Sequence, residues 1–405
     1  MVDLEHVRKI VEKQIEKNQG LLRLRPTFVA RTHLSAGRRL GLREEQYNAG
    51  KRGEICERWL ASETEADNSP PYPNEGLSFL DIEDVEVLLR DATKVCPREI
   101  MGSEYCARHK DLGRLAKLFD YGTRLFLHLH QMKRDTDKIG KTPKEEAYYF
   151  PSGVEQGNHP ETFFGVHPSI VAEGKQKEIL LPYLVDWNSD LILRHSRAYL
   201  DVPGDGFHLP AGILHAPGSV LTIELQEPSD VAAVFQAKVE RFDVPKSLLY
   251  KDIPAEEWRT LKEVAALQQV DWPANGDPFF YEHHHTPPVP VEGSLQTGGH
   301  EEWIYYSSRK FSGKQLIVKP HEKYLSRERG LYNLFVWRGQ GKVGSQTVEG
   351  KNIGMDEMLV VHDRAVHGVV FENTGSQPLE VFKFFGPDIN DDIVPFLPGE
   401  NRVQG

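Results

Sequence analysis

The chain has 405 residues, 49 lysines and arginines against 60 aspartates and glutamates, and a net charge of −11 with 39% hydrophobic residues. That acidic balance argues against a nucleic-acid partner, since phosphate binding is driven by Lys and Arg. There is no apolar run long enough for a membrane helix and no signal core in Met1-Val2-Asp3-Leu4-Glu5. Three scattered cysteines, Cys56, Cys96 and Cys106, make no disulfide framework, so the chain reads as a soluble protein of a reducing cytoplasm with no membrane partner.

The length allows two domains, or one large one with insertions. Leu4, Val7, Ile10, Val11 and Ile15 recur at helical spacing, which predicts an amphipathic helix over 3–18 closed by Gly20. Residues 53–62 read as a short strand, 68–74 as a Pro-rich surface loop, and 81–95 as a second helix. Two buried strands, 114–120 and 123–128, flank a turn at Tyr121-Gly122. Short strands follow at 147–150, 178–184, 196–202, 221–226 and 231–235, broken by Gly and Pro, a rhythm of sandwiches or barrels rather than βαβ units. A helix is predicted over 254–268. His283-His284-His285 precedes a Pro-rich stretch and reads as surface, because consecutive residues cannot all converge on one ion. From 301 to 388 a second strand-rich unit follows.

Chemistry concentrates in the first strand-rich unit. His128 and His130 alternate along a strand and so share a face, forming a two-imidazole half-site. Glu146, a short loop later, and His215, after Pro210-Ala211-Gly212, bring the set to three histidines and one carboxylate. A lone His-x-His is more often incidental; the ordered Glu and Pro-x-Gly-x-x-His favour ligation. Imidazole and carboxylate suit Zn2+, with Fe, Mn and Ni as alternatives. The pattern matches the cupin double motif, found inside a small antiparallel barrel. The second unit has Tyr332 at the expected carboxylate position and retains only His362 and His367, which read as structural.

Several islands carry a further resemblance: Gly53-Glu54 with Trp59 and Ser62; Leu115-Ala116-Lys117-Leu118-Phe119-Asp120; Leu127-His128-Leu129-His130 with Lys144-x-Glu146-Ala147; His208 to Ala216; and Ile223-Glu224 with Ser229-Asp230. Over roughly 50–240 the chain resembles the type I mannose-6-phosphate isomerases, zinc-dependent two-barrel enzymes that interconvert an aldose phosphate and its ketose. The resemblance implies an all-β-dominated fold of two cupin jelly-roll barrels with peripheral helices: 1–243 as the N-terminal helix and metal-binding barrel, 244–292 as a connector, and 293–405 as a degenerate barrel. It implies His128, His130, Glu146 and His215 as metal ligands, Lys144 and Glu224 as catalytic groups, and Lys117, Lys144 and Asp230 as substrate contacts. The partner would be a small sugar or sugar phosphate, with a homodimer left open.

Two departures stand out. Phe126 replaces a Ser near the family's sugar phosphate, and Val234 replaces its catalytic Arg, with Gln236 and Lys238 on the same strand face as candidate substitutes. Isomerisation needs a base near carbon 2, Glu224 or a water held at the ion, and stabilisation of the enediolate charge. The competing expectations are a sugar-binding protein that has lost catalysis and an iron-dependent cupin dioxygenase.

Overall fold

The computed structural model describes residues 4–240 and 242–395; Met1–Asp3 and the last ten residues of the second unit lie outside the described residues. Antiparallel sheets form two barrels. One barrel closes a six-stranded sheet against a five-stranded sheet; the other closes an eight-stranded sheet against a four-stranded one.

The six-stranded sheet carries both the site and the barrel junction, and side-chain alternation divides the two. Along Glu54–Leu60, Leu115–Phe119, Glu146–Tyr149 and Thr222–Gln226, the residues Glu57, Lys117, Glu146, Tyr148 and Glu224 point into the first barrel. Their neighbours Leu118, Tyr149 and Ile223 turn outward and pack with Phe335, Phe382 and Phe384 of the eight-stranded sheet. Register sets the inward residues side by side, with Glu224 opposite both Lys117 and Tyr148. A one-residue slip would send every one of these charges into the apolar junction.

The N-terminal helix forms as predicted, over Leu4–Lys17. It buries Val7 and Val11 in the second barrel's core, and strand Leu21–Arg25 pairs with Glu357–Val360 of the eight-stranded sheet. Residues that the linear reading groups with the first barrel therefore help to close the second.

Several expectations change. The predicted strand at 178–184 is a helix, Gln176–Asp186, because Leu180 and Leu184, four apart, both enter a core shared with Ala265 and Ala266 of helix Glu263–Gln268. The predicted helix over 81–95 is confined to Leu89–Val95. Before it the chain turns, with Asp84 at φ 57° and the Leu80 N–H donating to the Val87 carbonyl. The strand at 123–128 reduces to His128–Leu129, and the one at 231–235 to Ala233–Val234.

The His triplet is not a surface loop. It ends helix Phe280–His284, where the His284 ring stacks on Phe280 at 4.2 Å and its Nδ1 donates to the His208 carbonyl at 2.9 Å. His285 pairs with Asp205 at 2.6 Å.

Candidate metal centre

The three predicted histidines meet. His215 opens strand His215–Ala216 directly opposite His128, and His130 lies just beyond strand His128–Leu129. Ring centroids are 4.1 Å apart for His128 and His215, 5.0 Å for His128 and His130, and 5.1 Å for His130 and His215. One ligand atom from each lies within 4.8 Å of the others.

The main chain sets the tautomers. Nδ1 of His128 lies 2.9 Å from the Phe126 carbonyl, Nδ1 of His130 2.7 Å from that of Val231, and Nδ1 of His215 2.9 Å from that of Ile213. A carbonyl oxygen can only accept, so each Nδ1 carries the proton and each Nε2 keeps its lone pair for a ligand. Burial, helped by the neighbouring imidazoles, holds His128 well below the usual histidine range. Burial and the Lys144 ammonium hold His130 down to about 4. Neutral imidazole is the form that binds a metal.

Glu146 reaches the cluster from the opposite sheet. Its Oε2 lies 3.0 Å from His130 Nε2 and its Oε1 3.0 Å from His215 Nε2, while the Tyr148 hydroxyl donates to Oε1. Burial opposes its ionisation, but the Lys144 ammonium outweighs that and holds it well below the carboxylate range. The donor set fits a divalent cation on a structural test: buried His215 Nε2 makes no hydrogen bond. Two donors already converge on positive charge, since Lys144 Nζ stands 2.8 Å from both His130 Nε2 and Glu146 Oε2. Three imidazoles and a carboxylate are a normal set for zinc and for iron, manganese or nickel.

Around the cluster opens a cavity of about 500 Å³. Lys144, two residues before Glu146, extends to Glu224 at 3.3 Å, and Lys117 reaches Glu224 from the neighbouring strand at 3.2 Å. Burial and the Glu146 charge raise Glu224 to about 7 against the pull of Lys117 and Lys144. Glu145, between these residues, faces away and pairs with His208 at 2.9 Å.

Asp230 lines the cavity but is engaged. Arg31 grips both of its oxygens at 3.1 Å while also binding Glu57 at 2.7 Å. Arg31, Glu57, Tyr148 and Lys251 are cavity residues that the motif reading misses. Arg31 and Asp230 stand 199 positions apart, and no local pattern links them.

The expected substitutes for the missing Arg do not reach the cavity. Gln236 is buried with its Oε1 accepting from the Leu127 N–H at 2.7 Å, and Lys238 pairs with Asp243 at 3.4 Å. Val234 itself lies opposite His128, in an apolar wall with Phe126 and Leu248. In the second barrel, helix His362–His367 places His362 against Gly102, away from any ligand cluster among the described residues.

No family model and no curated relative matches this sequence. Solved structures do. The chain is similar to the mannose 6-phosphate isomerase from Bacillus subtilis, at 16% identity and TM-score 0.61, over 90% of this chain and 99% of that one. It is similar to a putative mannosephosphate isomerase from Archaeoglobus fulgidus, at 12% identity and TM-score 0.58, over 91% and 97%. A zinc-bound mannose 6-phosphate isomerase matches at 12% identity and TM-score 0.56, over 91% and 100%. The chain has the strand-rich two-barrel fold of these enzymes. No helix among the described residues is long and apolar enough to cross a membrane.

Proposed function

We propose that this chain is a metal-dependent aldose–ketose isomerase acting on a mannose-like sugar or sugar phosphate. The observation that carries the reading is the meeting, in one cavity, of three histidines whose Nε2 atoms converge, the Glu146 carboxylate, and the Lys144–Glu224 pair. His128, His130, Glu146 and His215 would hold the ion, Zn2+ being the first expectation. When bound, a divalent ion supplies Lewis-acid polarisation of the sugar's oxygens.

The chain's own groups do the rest. A proton leaves carbon 2 for a Glu224 oxygen and returns at carbon 1, while the hydroxyl proton moves from oxygen 2 to oxygen 1, so no atom is gained or lost. The buried ammonium groups of Lys144 and Lys117, fixed beside Glu224, stabilise the negative charge that develops on those oxygens. Arg31 braces Asp230 at the cavity wall, where it can accept from a sugar hydroxyl.

Ketose formation from a panel of aldoses and their phosphates tests the reading. Glu224→Gln should keep metal and lower kcat by roughly 100-fold to 10,000-fold, the usual contribution of a positioned base. A variant as active as the parent would remove Glu224 from that role. The sugar-binding reading is favoured by one observation, the Val234 wall with no cation in place of the family's Arg; tight sugar binding without turnover would select it.

A further inference from the structure

The charge arrangement of the cavity narrows the ligand. Four cationic side chains line it, and each has a carboxylate at contact distance. Arg31 lies 2.7 Å from Glu57, Lys117 3.2 Å from Glu224, and Lys144 2.8 Å from Glu146. Lys251 lies 3.2 Å from Asp67. With Glu146 set aside for the ion, Lys144 still has Glu224 at 3.3 Å, and with Asp230 the lining holds four carboxylates against four cations. The remaining basic groups there are imidazoles: His128 and His130 belong to the cluster, and burial lowers His33 from its usual range.

One wall is apolar. Phe126 stands edge-on to His128 at 5.6 Å, Val234 sits opposite His128 in the sheet, and Leu248 joins them, with Val239 and Val244 packed behind. A phosphate monoester carries close to two negative charges and needs free Lys or Arg donors. Set in this cavity it would have to break an existing ion pair or desolvate against hydrocarbon, and both are costly. A neutral sugar meets neither obstacle: its hydroxyls bond the paired charges, and its far carbon rests on the apolar wall.

We propose that the site takes an unphosphorylated aldose, with a methyl or hydroxymethyl carbon lying against Phe126 and Val234. This rests on the isomerase reading for the reaction but not for the binding. The test is calorimetric titration of the zinc-loaded chain with D-mannose, its 6-deoxy analogue and mannose 6-phosphate, run beside ketose detection on the same three.

Binding and kcat/KM should both favour the free sugars by at least tenfold. Tighter binding or faster turnover of the phosphate ester overturns the inference while leaving the isomerase standing. Preferential binding of free sugar without turnover upholds the inference and removes the isomerase. Absence of binding by all three overturns both. Phe126→Lys, which sets an unpaired cation on the wall, should shift the ratio toward the phosphate ester at least tenfold. An unmoved ratio in a folded variant counts against the inference.

Discussion

Each histidine of the cluster spends its Nδ1 proton on a main-chain carbonyl, so the ligand face of the site is built by backbone as much as by side chains. Removing one donor leaves the others facing each other without compensation. His215→Ala should lower zinc affinity by at least about 100-fold, beyond the usual cost of losing a supporting partner, as measured by competition with a chelator. Retention of stoichiometric zinc at parental affinity would contradict the ligand assignment.

Glu57 offers a test by pH. Burial opposes its ionisation, but Arg31 and Lys117 outweigh burial and hold it near 2, against 4.5 for the free side chain. A carboxylate lowered in the folded state stabilises above its unfolded value and loses that contribution as pH falls from 4.5 toward 2. The difference is worth roughly 3 kcal/mol. Denaturant unfolding of the parent should show this acid limb below pH 4.5, and Glu57→Gln, already lacking the stabilisation at pH 7, should show a shallower one. Equal slopes in the two proteins would refute it.

At the level of strands, the second barrel holds charge where the first gathers its three histidines. Glu301 on Gly299–Tyr305, Lys314 on Ser312–Val318 and Lys383 on Leu379–Phe385 meet Glu328 and Ser326 in the barrel interior, all buried. Lys383 contacts Glu301, Ser326 at 2.6 Å and Glu328 at 3.0 Å, and Lys314 reaches Glu328 at 2.7 Å. Two ammonium groups balance two carboxylates, so this interior needs no ion. Lys383→Met would leave Lys314 alone to offset two buried carboxylates and should cost about 3–5 kcal/mol in unfolding free energy. Lys383→Met combined with Glu301→Leu should recover part of that loss. A single variant within 1 kcal/mol of the parent, on the scale of an exposed pair, would show the network to be energetically idle.

Across the whole molecule, the barrels share one apolar junction tied by polar links. Arg58 bonds Asp356 at 2.8 Å and Glu357 at 3.1 Å, and the Tyr305 hydroxyl donates to the Ile223 carbonyl at 2.7 Å. Helix Leu4–Lys17 and strand Leu21–Arg25 lead the chain through the second barrel's sheet before it builds the first. Calorimetry should therefore show one cooperative unfolding transition. Arg58→Met, which leaves two buried carboxylates unpaired, should lower its temperature without splitting it. Two resolved endotherms in the parent would mean the barrels fold independently.

The local pattern of residues was enough to single out the candidate donors that the structure brings together. His128 with His130, and Lys144 with Glu146, are fixed by strand alternation, which needs only adjacent positions, and the Pro-Ala-Gly turn announces His215. Strand-rich architecture followed from short strands broken by Gly and Pro. Only tertiary packing decided that 176–186 coils into a helix, since an apolar run satisfies either period and the shared core with Glu263–Gln268 selects one. Packing alone also set Arg31 beside Asp230, emptied the Val234 wall of charge and carried the first strand into the second barrel. These are contacts between distant segments, whose energy depends on what each surface meets once the sheets have closed.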